Sequence, residues 1–237
     1  MKKSVIHGLL PVYIIVLLTV LALAGGGSKA ITTISENAAI KDRQCVIIDA
    51  GHGGVDGGAT SCTGVLESTM NLEIALRLND LMHLLGIKTV MVRTTDKSIH
   101  TEGESIAAKK VSDLKARVKL ANNTENALLI SIHQNYFSDP RYSGAQVFYA
   151  NTAGSDVLAK QLQGTFKNTM NPGSNRQAKK STGVYLMDKI DCTGVLIECG
   201  FLSNRQEEYK LRSKDYQLNI CSVIASVCSS YLYDTVA

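Results

Sequence analysis

The sequence has almost no net charge once its first thirty residues are set aside. The chain of 237 residues carries a formal charge of +4 at pH 7, and Lys2, Lys3 and Lys29 contribute most of it. Without these three, 22 basic residues stand against 21 acidic ones. Domains that bind nucleic acid present a basic patch or a strongly basic composition, so the charge balance gives no support to a nucleic-acid partner.

Signatures of several other protein classes are also missing. The sequence has no internal repeat, no low-complexity segment, no H-E-x-x-H motif and no C-x-x-C spacing. The dinucleotide-binding fingerprint G-x-G-x-x-G fails, because Gly51 and Gly53 are followed by Asp56 where the third glycine would stand. These absences argue against a nucleotide-binding domain and against a zinc site made of cysteines.

The six cysteines do not predict a disulfide framework. Cys221 and Cys228 lie seven residues apart on one predicted helix, about 10 Å along its axis, which is too far for a disulfide. Cys199 alternates with Glu198 and is expected on the opposite face of its strand. We therefore predict buried free thiols, and the sequence does not predict whether Cys62 is exposed.

The amino terminus contains an apolar stretch from Leu9 to Ala24, preceded by Lys2 and Lys3. This pattern predicts an export signal or a single membrane anchor over residues 1–30, and a domain that works outside the cytoplasm. As a helix the stretch would extend about 24 Å, whereas the bilayer core is about 30 Å thick. Because Ala22-Leu23-Ala24 is also a candidate cleavage site, removal and retention both stay open.

Residues 31–44 form a polar tether, and one domain is expected over residues 45–237. Six apolar segments predict strands: the start of Val46–Ala59, Ile87–Arg93, Ala127–Ile132, Ala145–Tyr149, Gly183–Met187 and Gly194–Glu198. Helical periodicity is found at Ser68–Leu85, around Ser112–Asn122, from Ser155 onward and at about Asp215–Tyr233. In the second helix, Leu114, Val118 and Ala121 are expected to face inward. Strands that alternate with helices favour right-handed parallel crossovers. The predicted fold class is α/β, a single domain with a central twisted, mostly parallel sheet of about six strands and helices on both faces.

Imidazole and carboxylate side chains follow several of these strands. His52 comes just after the first strand, His133 after the central one, and Glu198 at the end of another, while Glu67 opens the first helix. Open α/β sheets bind ligands beyond the carboxyl ends of their strands. Two imidazoles and one carboxylate make a usual catalytic zinc set with a fourth position for water. The spacings of fifteen and sixty-six residues match no local metal motif, so spacing alone is weak evidence.

Five motifs in the same order resemble those of the zinc-dependent N-acetylmuramoyl-L-alanine amidases. They are VIIDAGHGGVDGGA at Val46–Ala59, Glu67, RTTD at Arg93–Asp96, SIHQN at Ser131–Asn135 and VLIECGFLSN at Val195–Asn204. The resemblance implies that His52, Glu67 and His133 bind one Zn²⁺ and that Glu198 is the catalytic acid and base. The implied reaction is hydrolysis of the peptidoglycan amide between the lactyl group of N-acetylmuramic acid and the L-alanine of the stem peptide.

The mechanism that this resemblance implies is a zinc-activated water. Zinc lowers the pKa of bound water towards about 7 and polarises the amide carbonyl, and Glu198 transfers the proton to the leaving amine. Asp49 either orients a histidine ligand or caps the N–H groups of the glycine loop. Gln134 stands where the family has a small residue, and it is expected to reshape the rim of the pocket.

Two alternatives stay open, one without catalysis and one with the same zinc chemistry. One is a catalytically inactive homologue that binds peptidoglycan, because a fold does not fix an activity, although all four site residues are present. The other is a zinc carboxypeptidase that acts on the stem peptide.

The overall architecture carries three further expectations. Only Ala150–Gly154 separates a predicted strand from Ser155, which leaves no room for an inhibitory helix and predicts an open site. Without wall-binding repeats, targeting is expected from the amino-terminal segment or from an activating or targeting partner protein. A small amidase on one membrane segment resembles the sporulation and germination cortex amidases, which act during muramic lactam formation. Its expected location is the cell wall or the forespore intermembrane space, and a vegetative amidase is the alternative.

Overall fold

The computed structural model describes residues 44–234. Its strands are β1 (Cys45–Ala50), β2 (Lys88–Met91), β3 (Ala127–Asn135), β4 (Gln146–Tyr149), β5 (Lys179–Lys180) and β6 (Thr193–Phe201). Its helices are α1 (Glu67–Leu84), α2 (Ile106–Asn122), α3 (Ser155–Thr169), α4 (Tyr185–Lys189), α5 (Arg205–Leu211) and α6 (Lys214–Asp234). The predicted export signal or anchor and nearly all of the tether lie outside the described residues. Within residues 44–234, no helix is both long enough and apolar enough to cross a membrane.

The six strands form one sheet in the order β2-β1-β3-β6-β4-β5. Strands β2, β1, β3 and β6 are parallel, whereas β4 runs antiparallel to β6 and pairs in parallel with β5. This confirms the predicted mostly parallel sheet. The carboxyl ends of β1, β3 and β6 meet at one edge, where His133 lies opposite Glu198 in the pairing register.

Helices cover both faces of the sheet, as predicted. Helices α1, α3 and α6 pack on one face, where Ile74, Leu158 and Ile224 are fully buried. Residues of α2 and α4 pack on the other face, around Ile47 and Leu129. A strand that is covered on both sides is mostly apolar, and β1 is buried at every position, with Asp49 as its one charged residue.

The predicted strand at Gly183–Met187 is wrong. Tyr185–Lys189 forms the short helix α4, and the sixth strand is instead the two-residue β5. A short apolar run cannot be assigned to strand or helix by periodicity alone. Here one helical turn places Leu186 and Met187 into the core beneath α2.

The second helix differs from its prediction in length and in its buried face. It begins at Ile106, six residues before Ser112, because the Ser105 side chain accepts a hydrogen bond from the N–H of Ala108 and caps the helix. Its buried residues are Ser112, Asp113, Arg117 and Ala121. Of the residues expected to face inward, Ala121 is buried, Val118 is half-buried and packs against the apolar cluster around Ile47, and Leu114 is half-buried. The face of α2 that is turned to the sheet is therefore mixed, with polar and apolar residues side by side.

All six cysteines are free thiols, as predicted. Cys45, Cys199, Cys221 and Cys228 are buried, and burial raises the pKa of each of these thiols. Cys62 is exposed.

Candidate metal centre and its acid

The side chains of His52, Glu67 and His133 converge at the carboxyl edge of the sheet. One ligand atom from each lies within 4.8 Å of the other two. His52 Nε2 is 3.2 Å from one carboxylate oxygen of Glu67, and His133 Nδ1 is 2.9 Å from the other. Both histidine side chains keep 19% exposure, so the centre is reachable from solvent.

The carboxylate of Glu67 is held in place by both histidines and by the surrounding polypeptide. Its Oε2 accepts from the N–H of Ala59 at 3.0 Å, and its Oε1 accepts from Asn71 and from the N–H of Gln134, each at 3.2 Å. Burial would raise the pKa of Glu67, but the hydrogen bonds and charges of His133 and His52 outweigh it and hold that pKa well below its usual range. Glu67 is therefore ionised, as a metal ligand must be.

The loop after β1 aims His52 by means of an unusual backbone conformation. His52 has a φ of +60°, in the left-handed region that residues other than glycine rarely adopt. Gly51 is required for a different reason, because a Cβ at this position would collide with the imidazole of His133. The ring of His133 is thus packed against the loop that contains His52, and the two ring centroids are 5.0 Å apart.

Two buried arginines bind the carbonyl groups of this loop. Arg93 donates to the carbonyl oxygens of Ala50 at 2.8 Å and Gly51 at 3.0 Å. Arg117, on α2, donates to Ala50 at 3.0 Å and to His52 at 2.7 Å. The left-handed conformation of His52 is therefore supported from both sides, as strained backbone at functional sites usually is.

Both expectations for Asp49 are wrong, since its contacts lie elsewhere. Its carboxylate pairs with Arg117 and accepts a hydrogen bond from the Ser131 hydroxyl at 2.6 Å. Burial would raise the pKa of Asp49, but the Arg117 guanidinium and the Ser131 hydroxyl lower it. Asp49 acts on the site indirectly, because it compensates the buried charge of the arginine that binds His52.

The residue that orients a histidine is Asp56, which in the sequence stands where the dinucleotide-binding motif would need its third glycine. Asp56 Oδ2 lies 3.0 Å from His52 Nδ1. A carboxylate accepts hydrogen bonds, so it places the proton on Nδ1 and leaves Nε2, which faces Glu67, as the ligand atom. Lys110 lies 3.1 Å from the same Oδ2 and holds the carboxylate in turn. An acid four residues after a candidate ligand was the available signal.

Replacing Asp56 with asparagine is expected to weaken zinc binding about 10- to 100-fold, the usual cost of losing a carboxylate that orients a histidine ligand. Competition with a chromogenic chelator measures the affinity. Asp96→Asn is the matched control, because Asp96 contacts the same loop through the N–H of Gly54 but does not touch His52. Equal zinc affinity in Asp56→Asn and wild type would show that Asp56 has no such role.

Gln134 does not reach the rim of the pocket, contrary to expectation. It is buried, and its amide donates to Asn71 Oδ1 at 3.2 Å. Asn71 in turn donates to Glu67 Oε1 and to the carbonyl of Gly51. Gln134 therefore belongs to the network beneath the centre, which connects Glu67 to the His52 loop.

Glu198 lies on β6 beside His133. It differs from Glu67 in the hydrogen bonding of its carboxyl group. Its Oε2 is buried and has no hydrogen-bond partner among residues 44–234. Burial raises the pKa of Glu198 to about 7. Buried oxygens without partners are uncommon in folded proteins, and a carboxyl group with this pKa exchanges its proton near neutral pH.

The same burial makes stability depend on pH. In metal-free protein the folded state keeps the Glu198 proton up to about pH 7, whereas an unfolded glutamate releases it near 4.5. Between these values the folded state binds more protons, so stability falls as pH rises. The loss is on the order of 3 kcal/mol, absent below pH 4.5 and complete above pH 7. Glu198→Gln should remove it. Urea unfolding with a chelator present measures the free energy of unfolding of both proteins. The variant's value relative to wild type should be higher at pH 8 than at pH 4 by this amount. A relative value that does not change with pH would contradict the assignment.

Comparisons with known proteins identify the family of this domain. A family model described as N-acetylmuramoyl-L-alanine amidase matches residues 46–228. The germination-specific N-acetylmuramoyl-L-alanine amidase of Bacillus subtilis is 38% identical over 181 residues, which cover 76% of each chain. The CwlD amidase of Clostridioides difficile, solved in complex with the GerS lipoprotein, has 34% identity and a TM-score of 0.77, covering 81% of this chain and 99% of that one. An N-acetylmuramoyl-L-alanine amidase of Clostridium difficile 630 has 32% identity and a TM-score of 0.69, covering 80% and 97%. With most of the domain matched in both sequence and fold, the chain belongs to the N-acetylmuramoyl-L-alanine amidase family.

Proposed function

We propose that this peptidoglycan amidase depends on zinc, held by His52, Glu67 and His133, and that Glu198 transfers the proton. The enzyme cleaves the amide that joins N-acetylmuramic acid to L-alanine. One observation carries the proposal: three convergent ligand atoms within 4.8 Å of one another lie beside a buried carboxyl oxygen that has no hydrogen-bond partner in the described part of the chain.

The donor set fits zinc on its own chemistry. Two imidazole nitrogens and one carboxylate oxygen are typical ligands of catalytic zinc, and they leave a position open. The network of Asp56, Asn71 and Ala59 fixes the ligand atoms before any metal binds. When bound, zinc supplies a Lewis acid that polarises the amide carbonyl and makes water more acidic.

Glu198 performs the proton transfers in this mechanism. Its ionised form takes a proton from the attacking water through Oε2, the oxygen with no partner in the described chain. Its protonated form then delivers that proton to the amine nitrogen of the departing L-alanine. In the metal-free protein, burial raises the pKa of Glu198 to about 7, and a pKa raised towards neutrality suits a group that acts first as base and then as acid.

The biological setting we propose is the cortex peptidoglycan of a spore. The supporting observations are the germination-specific name of the Bacillus subtilis relative and the structural likeness to CwlD. CwlD was solved with the GerS lipoprotein, which supports an activating or targeting protein for this chain as well. The export signal or anchor predicted over residues 1–30 is consistent with work outside the cytoplasm.

Mass spectrometry of digested peptidoglycan tests the reaction. The expected products are peptides with a free L-alanine amine and glycan with free lactyl groups, formed with zinc and not with a chelator. Shortened stem peptides still attached to muramic acid would instead identify a carboxypeptidase, and no product in zinc-loaded protein would identify an inactive homologue. Loss of muramic lactam on deletion of the gene would test the cortex role.

A further inference from the structure

Three exposed aromatic residues stand together just beyond the end of β3. Tyr136, Phe137 and Tyr142 have 53%, 48% and 47% of their surface exposed. Aromatic residues form only 5% of the sequence, so three exposed rings within seven positions are a pronounced concentration. We call Tyr136, Phe137 and Tyr142 the aromatic ledge.

The aromatic ledge is built on ordered contacts. The rings of Phe137 and Tyr142 meet edge to face, with centroids 4.8 Å apart. Tyr142 lies on the buried ring of Phe201 at 6.0 Å, and the guanidinium of Arg176 lies over that ring at 4.9 Å. Such arrangements hold rings in fixed orientations, and so the ledge presents its faces to solvent in a defined way.

Backbone contacts anchor the same segment to the chain after β6. The N–H of Phe137 donates to the Ser203 hydroxyl at 3.2 Å. The Asn204 side chain donates to the carbonyl of Tyr142 at 3.3 Å. Both ends of the ledge are therefore tied to the segment that follows Glu198.

The ledge adjoins the candidate centre through two strands. Tyr136 and Phe137 follow His133 by three and four residues, and Phe201 follows Glu198 by three. At about 3.3 Å per residue, the backbone of Tyr136 lies on the order of 10 Å from that of His133, and the same holds for Phe201 and Glu198. The rings therefore lie at the same edge of the sheet as the candidate centre. A polymer with one bond in the centre can extend across the ledge.

We propose that the aromatic ledge binds the glycan strand of the substrate, with pyranose rings lying on the exposed faces of Phe137 and Tyr142. This rests on the proposed function, since the scissile amide hangs from a sugar and a sugar must therefore lie close to the centre. The C–H groups on one face of a pyranose carry partial positive charge, and an aromatic face is negative. A pyranose ring can therefore stack with this face of C–H groups against an aromatic ring, over a broad contact area.

Charge favours the glycan over the stem peptide as the occupant. Stem peptides carry carboxylates, which bind most strongly to cationic side chains. Arg141, beside the ledge, pairs with Asp139 at 2.6 Å, and the Arg176 guanidinium contacts the Phe201 ring and the Ser143 carbonyl. The three side chains of the ledge carry no charge themselves, which suits a neutral sugar ring better than a carboxylate.

Binding can be measured without catalysis, in protein treated with a chelator. The chain has no tryptophan, so Tyr142→Trp gives a single fluorescent reporter that keeps an aromatic face. Glycan strands without stem peptides should shift its emission, whereas free stem peptides should not. No response to the glycan, or a response only to the peptides, would overturn the proposal.

Kinetics of the zinc-loaded enzyme test the same surface. In the Phe137→Ala/Tyr142→Ala double variant, KM for strands of several disaccharides should rise about tenfold. The rate on a single muramoyl peptide should stay within about twofold, because that substrate does not reach the ledge. Tyr209→Ala removes an exposed aromatic of α5 and is the control. Phe137→Tyr and Tyr142→Phe should retain wild-type KM.

The outcomes separate this proposal from the proposed function. If the wild type cleaves neither substrate, the proposed function fails, and the fluorescence experiment still decides the ledge. If the wild type cleaves both and the double variant matches it on long strands, the ledge proposal fails alone. An equal loss on both substrates, or loss of a protein partner with unchanged KM for glycan, would also overturn it.

Discussion

Replacing Glu198 with glutamine is expected to reduce amide hydrolysis about 10²- to 10⁴-fold, the usual contribution of a positioned acid or base, while zinc stays bound. Glutamine keeps the size and shape of the side chain but cannot take up or release the proton. Glu198 makes none of the contacts that hold His52, Glu67 and His133 together, so the metal centre should be unaffected. Steady-state rates on purified peptidoglycan, with bound zinc measured in the same sample, check both parts.

Glu207→Gln is the matched control for this variant. Glu207 is also a buried glutamate whose pKa is raised by burial, but its carboxylate accepts from the N–H groups of Gly144 at 2.7 Å and Phe201 at 2.8 Å. It is therefore structural, and its variant should lose stability and retain its rate per folded molecule. Full activity in a zinc-loaded Glu198→Gln protein would remove Glu198 from the mechanism.

The second large effect is expected at Glu67. Glu67→Gln should lower zinc affinity by more than the 10- to 100-fold that residues behind a ligand contribute, and activity should fall with it. The amide has one oxygen where the carboxylate has two, and it brings an N–H₂ group towards histidine nitrogens or backbone N–H donors. It also removes the negative charge that balances the metal.

Dialysis against buffered zinc followed by metal analysis measures the loss. Glu73→Gln is the control, since Glu73 is exposed on the same helix and contacts only Gln217 among the hydrogen bonds that the structure describes. Wild-type zinc content in Glu67→Gln would show that the carboxylate is not a ligand. If activity were lost at that normal zinc content, Glu67 would act in catalysis and not in metal binding.

The sheet and its helices could be predicted where one face or both faces are apolar. Strands β1 and β3 are buried on both sides, and α1 and α6 have an apolar stripe, so burial leaves its pattern in the sequence. Helix α2 follows another rule. Its inner face contains Asp113 and Arg117, which binds loop carbonyls, together with Val118 and Ala121, so polar residues interrupt the hydrophobic period.

The candidate ligands could be predicted because each stands beside a strand or helix end within a recognisable motif. The residues that hold them were missed for a physical reason. Arg117 is 65 residues from His52, and Gln134 is 63 residues from Asn71. Such contacts depend on how distant segments pack. The residue types involved, Arg, Gln and Asn, are usually found on protein surfaces, so nothing in the sequence marks them as part of the site. Asp56 was closer at hand, yet a carboxylate in a glycine loop has several roles that sequence alone does not separate.

The place of β6 in the sheet has a consequence for the order in which the enzyme is assembled. His52, Glu67 and His133 all lie in the first 135 residues, in the loop after β1, on α1 and on β3, and these elements are neighbours in the fold. Glu198 arrives with the last strand, which inserts between β3 and β4. Glu198 lies 65 residues after His133 in the sequence. Because the chain is made from its amino terminus, all three candidate metal ligands are synthesised before the candidate proton-transfer group, and the candidate site is complete only when β6 has joined the sheet.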